Sequence, residues 1–309
     1  MRTTDATVVE VVAGSAGIRT AEPTAPPVRW FHRLLRNRSV MVGATVFLGF
    51  LLAAVFAFQL STHNPTRLNP PQRLKPPSAA NFLGTDEFGR DVYSLVIYGS
   101  RVSLLVGGVT MLITSIGGTL IGLIAGYYRR LDLIVMRVMD GLMAFPAIIL
   151  AIAFMAARGP GVLNVILALS LVYMPRTALL VRSTVLSLRE LAYVEAARAL
   201  GRRDFGIAAR HILPNCLAPL LVQGTFIFAY AVLAEAILGF LGVGVPPYVP
   251  SWGNVIASGK NVIREAFWVS LFPGITLTLA GLSLNLLGDG LRDTLDPRLR
   301  GSVGTGTGR

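Results

Sequence analysis

Charge is in short supply in this chain: 14% of its 309 residues are Asp, Glu, Lys or Arg, against 53% hydrophobic ones. An ordinary soluble domain carries about a quarter charged residues, so the deficit excludes that class and places the chain in a bilayer. Cysteine is scarcer still. Cys216 stands alone at the edge of an apolar run, which excludes a disulfide framework and a thiolate metal cluster and leaves the role of a small core residue. The three histidines, His32, His63 and His211, lie too far apart for an HExxH-type zinc site. No Gly-x-Ser-x-Gly nucleophile elbow occurs. A Walker A loop is missing too, because the one Gly-Lys pair, Gly259-Lys260, has Asn254 where the motif needs Gly and Asn261 where it needs Ser or Thr. The chain has no means of binding ATP in that way.

Lysine is nearly absent, Lys75 and Lys260 being the only two among 28 basic residues, and no function follows from the arginine excess. A net charge of +12 raises nucleic acid as a partner. The cations, however, sit between apolar runs and not on one contiguous basic face, so they read as the flanks of membrane spans and nucleic acid is set aside.

Six stretches are long and apolar enough to cross a membrane: residues 40–60, 102–128, 133–157, 161–181, 217–241 and 268–287. Helix is the required conformation, since hydrocarbon offers backbone groups no other partner. With the N-terminus inside, 20 basic residues fall on the cytoplasmic side and 8 outside. That bias predicts cytoplasmic N- and C-termini and a cytoplasmic loop between spans four and five. Residues 1–28 read as a mobile tail without a cleaved leader. Trp30 and Phe31 with Arg33, Arg36 and Arg38 form a membrane edge, where the Asn37-Arg38-Ser39 glycosylation match is a coincidence.

Within the spans, Gly118, Gly122 and Gly126 repeat at four-residue spacing, which predicts close approach of a neighbouring helix. Arg137 and Asp140 are spaced to pair on one helix face, and Pro146 to kink span three. Pro175 and Arg176 mark the cytoplasmic end of span four. Glu235 is the most deeply placed acid, and it is either a contact on a solute pathway or a structural hydrogen-bonding group; alone, it makes no proton relay. Outside, Asp86, Glu87 and Asp91 beside Arg90 read as a turn network in preference to a metal or acid–base site. Residues 242–260, with Trp252 and Trp268, read as a stiff interfacial ledge that either anchors in the membrane or receives a partner protein.

Residues 195–215 are the polar island of the apolar second half. Ala, Leu, Arg and Glu favour helix to Leu200, and Gly201 supplies a left-handed turn. A second helix is predicted from an N-cap at Asp204, with Phe205, Ala208, Ala209 and Ile212 on its apolar face, Arg203 and Arg210 opposite, and a stop at Pro214. Such a unit is either a membrane-hugging amphipathic loop or a knob that fits a groove in another protein.

The residues themselves resemble the coupling motif of ABC importer permeases: Glu-Ala-Ala, three residues, Gly, nine residues, Ile, any residue, Leu-Pro. Glu195, Ala196, Ala197, Gly201, Leu213 and Pro214 fall in register, and His211 replaces the Ile, as in the His-Ile-Leu-Pro-Asn variant of the peptide-permease branch. The run Gly84-Thr85-Asp86-Glu87-Phe88-Gly89-Arg90-Asp91 is similar to the signature preceding the second span of dipeptide and oligopeptide permeases, and residues 285–298 are similar to their C-terminus. The resemblance covers residues 30–300 and favours the second of the two permease subunits.

The resemblance implies an all-α membrane protein with six transmembrane helices in the type I ABC importer permease fold. Its parts would be an N-terminal cytoplasmic tail (1–38), a first transmembrane helix (39–60), an external segment (61–100), a permease core (101–290) with a coupling loop at 183–215, and a C-terminal cytoplasmic tail (291–309). It further implies half of a pathway for dipeptides or oligopeptides across the cytoplasmic membrane, with no catalytic residue, metal or cofactor of its own. ATP would be used by two ATPase subunits gripping the coupling residues; a second permease subunit and an extracytoplasmic solute-binding protein would complete the machine. Nickel, glutathione or haem are the alternative cargoes. A secondary transporter would need several intramembrane ionisable groups or an inverted repeat, and only Asp140, Glu235 and Asp289 are placed for it. A membrane-embedded enzyme would need grouped His, Asp, Ser or Cys.

Overall fold

Backbone amides that cannot find water must find each other, and the apolar runs do so as helices. The computed structural model describes residues 37–295. The mobile-tail reading, Trp30, Phe31, His32, Arg33, Arg36 and residues 296–309 lie outside the described residues. Helix α1 (Arg38–Val55) is capped by the Asn37 carboxamide, which accepts from the amides of Ser39 and Val40. The residue heading the glycosylation match is thus a helix cap. After a break at Phe56 comes the short α2 (Ala57–Leu60). An irregular segment leads to α3 (Val92–Tyr127), followed by α4 (Arg129–Met143), α5 (Ala147–Arg158) and α6 (Val162–Leu188). Then come α7 (Ala192–Ala199), α8 (Asp204–Ile207), a π-turn (Ala208–Ile212), α9 (Leu213–Phe240), α10 (Trp252–Ser258) and α11 (Trp268–Leu295). No strand occurs among the described residues.

The helix pair α3–α6 sets the architecture. Gly118, Gly122 and Gly126 face Thr177, Val181 and Val185 of α6, and a Cβ on any of them would lie 2.5–2.7 Å from that helix. The rising numbers on both sides make the two helices parallel. The chain between them must therefore return from one end of the molecule to the other, and α4 with α5 supplies that crossing. Five single helices are long and apolar enough to span, and the α4–α5 pair makes a sixth crossing.

Span three is not one helix. α4 and α5 meet at 91° around Pro146, which lacks the N–H for a continuing hydrogen bond and drives Phe145 out of helical conformation. The expected Arg137–Asp140 pair does not form, both side chains being exposed; a solvated pair on one helix gains too little to hold two flexible side chains together. Asp132 of α4 instead meets Arg182 of α6.

Span four runs on past Pro175 to Leu188, so Arg176 lies mid-helix and does not mark an end. A lone cation does not terminate a helix, and the buried Pro175 is carried inside it. Likewise α3 begins ten residues before the expected position 102, because Val92, Leu95 and Val96 are buried beneath the segments at that end. Trp252 and Trp268, expected on an interfacial ledge that anchors in the membrane or receives a partner, are instead buried in the same place: the Trp252 indole donates to the Val96 carbonyl and the Trp268 indole to the Thr85 carbonyl. Burial with a satisfied N–H is the cheaper use of a large amphipathic ring here. These segments, 61–91 and 242–267, form the ledge end, and α7 with α8 forms the opposite, loop end.

Candidate functional site

The loop end is built around a helix stop. Leu200 closes α7, and Gly201 takes φ +75°. The Gly201 amide donates to the Arg198 carbonyl at 2.9 Å and the Arg202 amide to the Ala197 carbonyl at 3.2 Å, the two bonds of a Schellman motif. The chain then turns directly into α8. Asp204 opens that helix but is not its cap: the preceding residue, Arg203, holds the cap position, and the Asp204 carboxylate accepts a 2.6 Å bond from the Tyr127 hydroxyl at the end of α3.

Pro214 does not stop the segment either. It sits in the first turn of α9, where a missing N–H costs least. The turn before it is widened, with the Leu213 amide reaching back five residues to the Ala208 carbonyl. α8, the π-turn and α9 make one continuous element from Asp204 to Phe240.

The loop has two faces. Val194, Ala197, Ile207 and Ile212 are buried with Cys216 and Leu220 against Val181 and Val185 of α6. Glu195, Ala196, Gly201 and Pro214 are exposed, Leu213 is half-buried, and Ala197 belongs to the anchored face. The apolar face expected from Phe205 to Ile212 is split: Phe205 is 82% exposed and Leu200 86% exposed, while Ile207 takes the core position. A 3.6-residue period misses Phe205 because the wider turn at Ala208–Ile212 shifts the phase of the helix, and it misses Leu200 because that residue closes α7, before the Gly201 turn. The charged groups behind the loop brace it. Asp132 accepts from Arg182 at 2.5 and 2.6 Å, and Arg189 donates to the Gly126 carbonyl at 3.1 Å. His211, the departure from the motif, lies beside Arg202 Nη1 at 3.3 Å and the Tyr193 ring at 6.3 Å. The arrangement is a rigid foot with a greasy, exposed tip on the end of a spanning helix.

At the ledge end, Glu235 is fully buried. One carboxylate oxygen accepts 2.8 Å from the Ser103 hydroxyl of α3, and the same hydroxyl accepts 3.2 Å from the Trp252 amide of α10. The other oxygen has no bonding partner among the described residues. Glu235 is thus placed where α9, α3 and α10 meet, at the end of the molecule opposite residues 195–214. Asn254 clamps the adjoining loop through the carbonyls of Val245, Pro246 and Val249.

The acidic cluster at residues 86–91 is a turn network. Asp86 accepts from the amides of Phe88 and Arg90 and from the Arg90 guanidinium at 2.6 Å. Asp91 caps α3 through Ser94 and also accepts from Thr62. Glu87 is set apart from both, half-buried and outside that network.

Comparison with known proteins agrees with this architecture. Residues 118–301 match the family "binding-protein-dependent transport system inner membrane component". Residues 28–77 match "N-terminal TM domain of oligopeptide transport permease C". A putative peptide transport system permease protein of Brucella abortus is 50% identical over 276 residues, covering 89% of this chain and 93% of the relative. The dipeptide transport system permease protein of Alkalihalophilus pseudofirmus is 42% identical over 295 residues, 92% of this chain and 97% of its own length. The glutathione transport system permease protein of Pectobacterium atrosepticum is 39% identical over 277 residues, 89% and 92% of the two chains.

Proposed function

The chain belongs to the family of binding-protein-dependent transport system inner membrane components, the permeases of ABC importers, and from that premise we infer that it lines half of a peptide pathway across the cytoplasmic membrane. A sister permease supplies the other half, two ATPase subunits supply the energy, and a solute-binding protein delivers cargo at the ledge end. The N-terminus and the coupling loop face the cytoplasm, as the basic residues predict. This chain performs no chemistry and binds no cofactor itself. The division into tail, first helix, external segment and core carries over to this reading, with the ledge segments as the delivery face.

The observation that carries the reading is the two-faced loop. Leu200 and Phe205 project at 86% and 82% exposure from a base that is fully buried on α6. Large apolar side chains held that far into water on a braced foot suit a partner's groove. Because α8, the π-turn and α9 are continuous, a pull on the foot moves α9 as a rigid lever. Closure of the ATPase pair on ATP would then draw the two permease feet together and switch the pathway from one access state to the other, provided the ATPases bind those states with different affinity.

Co-purification tests this. The tagged chain, co-expressed with its sister permease and ATPases, is expected to retain the sister permease and lose the ATPases when Leu200→Asp and Phe205→Asp are introduced. Full ATPase retention in the double variant overturns the docking role. Glutathione is a second cargo reading, favoured by the similarity to a glutathione permease; competition of peptide uptake by glutathione separates the two.

A further inference from the structure

Arg176 occupies the middle of α6, fourteen residues after Val162 and twelve before Leu188. Those separations are about 21 Å and about 18 Å of helix, which puts the guanidinium at membrane depth. Its neighbours in sequence set the level inside α3 and toward the loop end, since Met174 and Thr177 meet Gly117 and Gly118, about ten residues or about 15 Å before that helix ends at Tyr127. An arginine at that depth turns to a cavity or a protein partner, because hydrocarbon offers its charge nothing. Arg176 is exposed, and none of the ion pairs among the described residues includes it.

The side chain is nevertheless positioned. Its Cζ stands 5.9 Å from the Tyr173 ring centre and 6.0 Å from that of Tyr230. The two rings, one on α6 and one on α9, stack at 6.5 Å. Tyr173 also donates to the Tyr230 carbonyl at 3.4 Å. A cation held by ring faces keeps its planar fork of N–H donors for another ligand. The groove it lines, about 620 Å³, also presents Ser183, Gln223 and Phe226. A second groove of about 660 Å³ shares Gln223 and Phe226 with the first and continues along α9 to Pro214 and Arg292. Together they make one trough that runs from Arg176 to the coupling loop.

We propose that Arg176 is a carboxylate-binding point in the translocation pathway, taking the C-terminal carboxylate of a peptide as it passes between the permease subunits. The inference rests on the peptide reading above and deepens it by naming the group recognised. A guanidinium matches a carboxylate with two parallel hydrogen bonds, and it repels the amino end of the same peptide, so the cargo is oriented as well as held. Gln223 and Ser183 add neutral polar groups that suit a peptide bond without selecting side chains. Glutathione also carries free carboxylates, so the site serves that cargo equally.

Uptake by the complete complex in proteoliposomes, with its binding protein saturated, tests the proposal. The probes are an alanyl dipeptide, whose side chains carry no charge, and its C-terminal amide. Arg176→Gln is expected to lower the maximal rate for the free acid about tenfold, the equivalent of one charge-assisted hydrogen bond, with KM and the rate for the amide unchanged. Should that variant fail to assemble, Arg176→Lys carries the comparison, with a several-fold loss for the acid alone. Equal losses for acid and amide overturn the proposal and assign Arg176 to a structural pair with an acid of the sister subunit. Undiminished acid uptake overturns it as well. If the wild-type complex carries neither peptide while its ATPase turns over, the peptide reading itself falls and the carboxylate site with it.

Discussion

Asp132 and Arg182 form a bidentate pair across the α4–α6 boundary, with Nε–Oδ1 at 2.5 Å and Nη2–Oδ2 at 2.6 Å. Both side chains are mostly buried, at 17% and 27% exposure. The pair fixes the amphipathic half of the broken span to the helix on which residues 194–212 are anchored. Asp132→Asn is expected to cost about 1 kcal/mol and to loosen α4, read as a lower unfolding temperature of the purified complex. The charge-swapped double variant Asp132→Arg/Arg182→Asp should recover most of that loss; no recovery would mean that the fork geometry, and not the charge, holds α4.

Glu235 bonds Ser103, and Ser103 in turn receives the Trp252 amide, so one buried carboxylate joins α9, α3 and the ledge. Glu235→Gln keeps an acceptor for Ser103 and should leave both stability and uptake near wild type. Glu235→Ala strips the acceptor and leaves a void, with an expected loss of roughly 1–3 kcal/mol. Thermal unfolding of the two variants makes the comparison. Abolished transport in a fully assembled Glu235→Gln complex would instead place the carboxylate on the solute pathway.

Spanning helices could be read from the sequence because apolar runs of this length have one conformation open to them, and the Gly118–Gly122–Gly126 stripe because its spacing is that of a helix face. What escaped was where the helices end and bend. Pro214 carries the signature of a stop, yet it starts a helix here because the widened turn before it absorbs the missing bond. Pro146 carries the signature of a kink, yet it breaks the span, since hydrocarbon contacts on both sides of the bend are replaced by packing on α3 and α6. Phe205 follows helical periodicity only if the helix keeps 3.6 residues per turn through Ala208–Ile212, and there it widens to a π-turn. Arg176 escapes because a charge in an apolar run ordinarily marks an aqueous end, whereas here an open groove along α6 and α9 receives it. The motif at residues 195–214 is visible in the sequence, but its division into anchored Ala197 and exposed Glu195, Ala196 and Gly201 depends on tertiary packing that no local pattern encodes.

Gly122 packs its Cα against α6 so closely that an added Cβ would lie 2.5 Å from the Ala178 carbonyl and 2.7 Å from the Val181 side chain. Backbone cannot yield as a flexible side chain can. Gly122→Leu is therefore expected to force the α3–α6 pair apart and lose at least about 1–3 kcal/mol, seen as little folded protein after detergent extraction. Gly141→Leu, at a position with open space around it, is the matched control and should extract normally.

Gly201 presents the opposite case: nothing lies within 4 Å of the place a Cβ would take, but φ is +75°. Within this chain, a side chain there strains only the backbone, by about 1–2 kcal/mol at the Schellman turn. Gly201→Ala should consequently leave the protein inserted and folded, with a modestly lower unfolding temperature. Gly201→Asp adds bulk and charge on the exposed side of the foot, where the ATPase groove is expected to approach. ATP-driven uptake should fall much further than stability does in that variant, while assembly with the sister permease persists. Uptake by Gly201→Asp at the level of Gly201→Ala would show that the turn faces no partner, and the lever mechanism would lose its handle.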